Sequence, residues 1–263
     1  MEAYSGFAQV YDELMSDVPY EDWCDRICDA IASFGISRPV RDAADALESE
    51  RNLVLDLGCG TGTMTRLLYE KGYDVFGVDA SEEMLAAASE KSRAAGEEIL
   101  YLCQDMRELD LYSTVGTVVS VCDSLNYLLD PADLRQTFSL VHKFLYPGGL
   151  FVFDCNTDHK YRDIIGESTI AQNYEDCSFI WENWYDEEAR INCYDLTFYL
   201  QNPDGSYRRF EETHYQRGLE TAELESLLQT TGFTLCEFLD SDTGEAPTAT
   251  TERLYVVAKA VKD

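Results

Sequence analysis

Val54-Leu55-Asp56-Leu57-Gly58-Cys59-Gly60-Thr61-Gly62 is the stretch on which the fold turns. An apolar run carries an acidic residue near its end and is followed by three glycines at alternate positions, Gly58, Gly60 and Gly62. The pattern reads as a buried strand breaking into a loop whose backbone can lie against a small ligand. A phosphate loop of the GxxxxGK type is excluded, because no lysine lies between Arg51 and Lys71. A dinucleotide fingerprint would read GxGxxG. Here Thr63 takes the third glycine position and Asp56 stands where it would repel a pyrophosphate. Asp56 suits a ligand bearing an ammonium group.

Outward from the loop, GYDVFGVDAS reads as a second strand ending at Asp79, nineteen residues after Gly60. A carboxylate there can accept both hydroxyls of a ribose, a feature that NAD-binding folds share. The third strand, EILYLCQDM, ends in Gln104-Asp105-Met106. An acid at that point can take the exocyclic amine of an adenine while a methionine covers its face. Three strand ends, each acidic, thus provide for an amino acid, a ribose and an adenine, the parts of S-adenosylmethionine.

Through VLDLGCGTG, VFGVDAS, CQDM and VVSVCDSLNYL, in that order, the chain resembles the class I S-adenosylmethionine-dependent methyltransferases. The opening YSGFAQVYDELMSDVPYEDW, the CDSLNYL segment and HYQRGLETAELESLLQTTGF are similar to a bacterial small-molecule type laid out like sugar N-methyltransferases and glycine N-methyltransferase. The resemblance implies backbone contacts at Gly58 and Gly60 to the methionine part, Asp79 on the ribose, and Asp105 and Met106 on the adenine. Asp56, Cys59, Thr61, Gly62, Ala80, Met84, Gln104, Cys122 and Ser124 complete the implied cofactor set. Cys122 would offer its backbone carbonyl to the cofactor's ammonium. In similar enzymes an N-terminal tyrosine approaches the sulfonium, which here points to Tyr4 or Tyr11. Spacing alone makes Tyr4, Phe7 and Tyr11 a helical stripe packed on the core.

Composition agrees with a soluble, cytoplasmic enzyme of 263 residues, long enough to bury a sizeable core. The acidic N-terminus lacks the basic start and apolar segment of a signal peptide, and no apolar run approaches a membrane span. Nine cysteines without a CxxC pair read as reduced, buried residues, and Cys24 with Cys28 lacks the partners of a zinc site, so no metal is expected. Against 20 basic residues stand 50 acidic ones, a net charge of −30 that repels nucleic acids and anionic membranes. Such charge mostly confers solubility, and it also attracts a cationic acceptor. The partner expected is a small molecule, with a homodimer left open.

Alternation of strands (Asn52–Leu57, Tyr73–Val78, Ile99–Cys103, Thr117–Val121, Leu150–Asp154) with helices (Thr63–Lys71, Glu82–Ala95, Ala132–Leu145) predicts a doubly wound α/β fold with a Rossmann-like sheet. The resemblance implies seven strands, the last two near Thr234–Asp240 and Arg253–Ala260 after a helix over Glu220–Thr231. Helices at Tyr4–Met15 and Tyr20–Phe34 and a polar linker precede the core. From Phe179 the period changes to two, with turns at Asp186-Glu187-Glu188 and Asn202-Pro203-Asp204-Gly205, which predicts a three-stranded antiparallel insertion. The expected division is an N-terminal lid and linker over 1–50, a cofactor-binding core over 51–155 and 219–263, and a substrate lid over 156–218. The aromatics Trp181, Trp184, Tyr194, Phe198 and Tyr199 would face the pocket, form the lid's own apolar face or make a dimer contact.

On the acceptor side, Asp123 or Tyr127 could bind or deprotonate an amine. Asp123 could equally cap the following helix. His214, one of only three histidines, is most simply a structural residue, yet the resemblance places its HxxR segment beside the acceptor, where Arg217 would clamp a carboxylate. Methyl transfer to N or O of a small polar, amine-bearing acceptor is the expected activity. A protein or RNA methyltransferase, or a module that binds the cofactor without turnover, are the alternatives.

Overall fold

A computed structural model describes residues 11–12, 15, 17–40, 45–175 and 177–262. The expected helix over Tyr4–Met15 falls largely outside them. After Pro19, α1 (Tyr20–Phe34) buries Cys24, Ile27, Ala30 and Ile31, a stripe at helical spacing. Asp45 accepts a hydrogen bond from the Glu48 amide and so caps α2 (Ala46–Asn52), a helix where the sequence suggests only linker.

The core follows as β1 (Val54–Leu57), α3 (Thr63–Glu70), β2 (Val75–Asp79), α4 (Glu82–Ala95), β3 (Leu100–Cys103), β4 (Val115–Ser120), α5 (Pro131–Phe144) and β5 (Leu145–Asn156). Ser81 caps α4 and Gly96, at φ +74°, ends it. Asp130 and Pro131 open α5. An inserted sheet is built from β6 (Thr169–Asn173), β7 (Cys177–Asp186), β8 (Ile191–Gln201) and β9 (Tyr207–Arg217). The chain returns through α6 (Thr221–Thr230), β10 (Phe233–Asp240) and β11 (Arg253–Ala260).

Seven strands form one sheet in the order β10-β11-β5-β4-β1-β2-β3, parallel except for β11. One face packs Phe138, Val141 and Leu224 of α5 and α6 on Phe151, Phe153 and Val118. The other packs Ile27, Ile31 and Leu68 of α1 and α3 on Val54, Val119 and Val152. Burial on both faces explains the uninterrupted apolar runs of the strands. The strand order reverses between β1 and β4, so ligands belong above the carboxyl ends of these two strands.

Two departures from the sequence reading are instructive. Tyr146-Pro147-Gly148-Gly149 lies inside β5, not before it: pairing with β4 shifts between Val115↔Leu145 and Thr117↔Leu150, and Gly148 takes up the irregularity at φ +79°. The inserted sheet has four strands in place of the three expected, in the order β6-β7-β8-β9 and antiparallel throughout. Its extra edge strand, TIAQN, is largely exposed and shows no alternation to announce it.

The insertion is tied to the core at the end of β9. Asn126 Nδ2 donates to the carbonyls of Asn156 (2.9 Å) and Arg217 (2.7 Å). At its other end Phe198 packs with Met84 of α4 and Tyr11.

Candidate active site

The loop after β1 is shaped by its glycines. Gly58, Gly60 and Gly62 all adopt positive φ, +77°, +53° and +78°. They differ in surroundings: a Cβ on Gly60 would meet nothing within 4 Å, whereas one on Gly62 would sit 2.7 Å from Tyr101 Oη. Gly60 therefore presents bare backbone to the cleft. Gly62, expected at the ligand, instead provides for packing under α3.

Asp79, at the end of β2, locks this loop. Its Oδ2 accepts from the Gly60 amide and its Oδ1 from the Ser81 amide, both at 2.8 Å. Burial raises its carboxyl above the usual range, with the amides of Ser81 and Gly60 acting against the rise. Asp56, wholly buried, accepts a 2.5 Å hydrogen bond from Thr65 Oγ1. Burial pushes its carboxyl up to about 7, opposed by Thr65 and reinforced by the nearby Asp79.

These residues open onto a cleft of ≈ 800 Å³ whose walls include Gly58, Asp79, Ala80, Gln104, Asp105, Met106, Ser124 and Tyr127. Its inner continuation, ≈ 60 Å³, is lined by Tyr11, Tyr20, Asp56, Cys59, Gly60, Thr61, Met84 and Cys122. Gly58, Asp79, Ser124 and Tyr127 line both parts. Tyr11 and Tyr20 are hydrogen-bonded to each other, and beside them Asp12 accepts from Thr61 Oγ1 (2.5 Å) and Lys91 (2.6 Å), which ties residues 11–12 to the glycine loop. Tyr4 lies outside the described residues.

Two residues expected at the adenine are already engaged. The Arg107 guanidinium binds Asp105 and holds its carboxyl below the usual carboxylate range. Gln104 braces its own loop, accepting from the Asp110 amide at 3.0 Å and donating to the Asp110 carbonyl at 3.1 Å. The side chain of Gln104 thus braces the wall of the cleft.

After β4 the chain makes a turn in which Cys122 and Asp123 both have positive φ, +58° and +52°. Such conformations persist only where the surroundings over-determine them. Here Asp154, at the end of β5, accepts from both amides, Cys122 at 3.2 Å and Asp123 at 2.8 Å. Arg253 then bridges Asp154 (2.7 Å) and Asp123 (2.8 Å). Asp123 does not cap the next turn through its side chain; its second oxygen accepts from Gln216 Nε2 at 2.7 Å. Burial acts to raise the Asp123 carboxyl, but Arg253, Lys160 and Gln216 outweigh it and hold the group below the usual range. A carboxylate so held is a poor base. Burial pushes the Cys122 thiol well up, which keeps it neutral.

Strand alternation separates His214 from Arg217. His214 and Gln216 share the face of β9 turned to the core, where His214 Nδ1 lies 3.3 Å from Tyr127 Oη. Arg217 falls on the opposite face, buried against α6 and bound to Glu223 at 2.7 Å. It is therefore not placed to clamp an acceptor. Alternation also sorts the aromatics of the inserted sheet: Tyr194 and Phe198 are buried inward, while Trp184 is 56 % exposed on the outer face, which Tyr199 shares. Sequence reasoning misses Glu212, although its ExH spacing on a strand signals a shared face with His214; its Oε2 lies 3.3 Å from His214 Nε2. Arg253 and Asp154, likewise missed, carry no local signal.

Among the described residues no cluster of His, Cys, Asp and Glu is placed to hold a metal, and no helix is long and apolar enough to cross a membrane.

A seven-stranded sheet with this order, a glycine loop and acidic strand ends around one cleft define a nucleoside-binding transferase. Residues 54–149 match the family described as "Methyltransferase domain". A Bacillus subtilis (strain 168) protein, YqeM, described as a methyltransferase, is 38 % identical over 260 residues, 98 % of each chain. A crystal structure of an S-adenosylmethionine-dependent methyltransferase from Clostridium acetobutylicum ATCC 824 superposes with a TM-score of 0.84 at 27 % identity, covering 98 % of this chain and 99 % of that one. The sugar N-methyltransferase KedS8 from Streptoalloteichus sp ATCC 53650 shares the fold, with a TM-score of 0.72 at 17 % identity over 100 % of this chain and 95 % of its own. The chain belongs to the class I S-adenosylmethionine-dependent methyltransferases, and S-adenosylmethionine is its cofactor.

Proposed function

We propose that this methyltransferase acts on N or O of a small, polar, amine-bearing molecule. The observation that carries the reading is the inner cavity, ≈ 60 Å³ and walled in part by Tyr11, Tyr20, Cys122 and Tyr127, whose small volume favours a compact reacting group. The net charge of −30 supports it by favouring a cationic acceptor over a polyanion. The cofactor supplies an electrophilic methyl on sulfur. The chain's part is to hold the nucleophile in line with it, exclude water and receive a proton.

In this reading Gly58, Gly60 and Asp56 hold the amino-acid end of the cofactor, and Asp79 the ribose. Met106 covers the adenine. Its exocyclic amine meets Asp105 only by sharing that carboxylate with Arg107. Tyr11 and Tyr20 face the sulfonium region, where aromatic rings favour a cation.

Calorimetric titration with S-adenosylmethionine and S-adenosylhomocysteine, with NAD and ATP as controls, checks the site. One-to-one binding of the first two alone is expected. Transfer of labelled methyl is then assayed on glycine, sarcosine, simple diamines, amino sugars and catechols, beside purified tRNA and rRNA. Label on an amine or hydroxyl compound is expected; label on RNA alone would overturn the small-acceptor reading, and binding without transfer to any of them would favour a non-catalytic module.

A further inference from the structure

An acceptor that arrives as an ammonium or a hydroxyl must lose a proton, and Asp123, the carboxylate next in sequence to Cys122 of the inner-cavity wall, does not serve. Asp123 is committed to Arg253 and Gln216 and is held in its weakly basic state. A different set of groups reaches the same place. Tyr127 lines both the inner cavity and the outer cleft. Its Oη lies 3.3 Å from His214 Nδ1, and His214 Nε2 lies 3.3 Å from Glu212 Oε2. The side chains of His214 and Glu212 are 1 % and 4 % exposed, so solvent does not compete for them. Separations of this length in a ligand-free site tighten when the reacting complex forms.

Resting on the methyltransferase reading above, we propose that Tyr127, His214 and Glu212 form a proton relay aimed at the acceptor. Tyr127 is the catalytic residue, and His214 and Glu212 act through it as positioning residues. At 3.3 Å the His214 Nε2–Glu212 Oε2 pair is a close contact and not yet a hydrogen bond; once Nε2–H turns to that carboxylate in the reacting complex, Nδ1 is left to accept from the Tyr127 hydroxyl. The acceptor nitrogen or oxygen gives its proton to Tyr127 Oη, whose own proton passes to His214 Nδ1. The imidazolium so formed is stabilised by Glu212, the logic of a base oriented by a third group. As the acceptor's lone pair bonds to the methyl carbon, the methyl–sulfur bond breaks and its electron pair stays on sulfur. The relay makes the acceptor one that carries a proton on the atom to be methylated.

The test uses sinefungin, which bears an amine where the cofactor bears its methyl, against S-adenosylhomocysteine, which bears neither. Affinities for both are measured by calorimetry on the wild-type chain and on Tyr127→Phe, His214→Asn and the isosteric Glu212→Gln. The ratio of the two affinities cancels contacts that the ligands share. It is expected to fall about tenfold or more in Tyr127→Phe and His214→Asn, the scale of one hydrogen bond to a charged group, and by an intermediate factor in Glu212→Gln. Nitrogen-15 spectra of the imidazoles should show His214 protonated on Nε2 in the wild type, with His142→Gln and His159→Gln used for assignment. An unchanged ratio in all three variants, or His214 protonated on Nδ1, overturns the relay while leaving the cofactor site intact. Failure of both ligands to bind the wild type overturns the methyltransferase reading itself, and the relay with it.

Discussion

Asp56 and Asp79 stand one strand apart at the floor of the cleft, and their surroundings assign them different tests. Asp79 faces the cleft while bonded to the Gly60 and Ser81 amides. Asp79→Ala should weaken S-adenosylhomocysteine binding by about 1.5–3 kcal/mol, the scale of a lost charged hydrogen bond. Unchanged affinity by calorimetry would remove Asp79 from the ribose. Asp56 bears on stability instead. Burial raises its carboxyl from 3.8 to about 7 in the fold, so between those values the native state holds a proton that the unfolded chain has released. Its contribution is fully present below pH 3.8 and is lost as pH climbs through 7, on the order of 1 kcal/mol for each unit. Thermal midpoints of the ligand-free protein from pH 5 to 8 should therefore fall more steeply in the wild type than in Asp56→Asn. Parallel curves would show that Asp56 does not titrate there.

The glycine loop illustrates how one element mixes ligand and packing roles that a motif does not distinguish. Gly60→Ala puts a methyl into open cleft, so beyond a modest strain cost its effect should be on cofactor affinity. Gly62→Ala drives a methyl to within 2.7 Å of Tyr101 Oη, so it should lower the urea midpoint while the surviving folded protein binds S-adenosylhomocysteine nearly as before. Equal loss of affinity in both would mean that Gly62 also touches the ligand. The same contrast explains what is legible in the chain. Strand ends at Asp56 and Asp79 announce themselves because apolar run, acid and glycine are adjacent in sequence. The Tyr127–His214 contact joins positions 87 residues apart, and Arg253 reaches Asp123 across 130, so no window along the chain contains either. Nearness to His214 in sequence suggests the pocket for Arg217, but an odd separation on a strand turns a side chain to the other face. The edge strand Thr169–Asn173 goes unannounced because an exposed strand has no face to bury and hence no period to display.

At the scale of the whole molecule the net charge of −30 governs the electrostatics, since it is an excess that no pairing within the chain can neutralise. Like charges spread over one surface repel each other more in the folded state than in the expanded chain, so the field costs stability and salt returns it. Screening shortens from about 30 Å at 0.01 M salt to about 10 Å at 0.1 M. Over that interval the thermal midpoint should rise by roughly 2–4 °C, equivalent to about 1 kcal/mol for a domain of this size. The same field acts on ligands according to their charge. S-adenosylmethionine carries one positive charge more than S-adenosylhomocysteine and shares its other contacts. Added salt should therefore weaken the former more than the latter, and the affinity ratio measured by calorimetry should decline between 0.01 M and 0.1 M sodium chloride. A cationic acceptor should lose kcat/KM in the same direction. A ratio independent of salt would show that the charge excess lies too far from the cleft to be felt there, and the electrostatic argument for a cationic acceptor would fall with it.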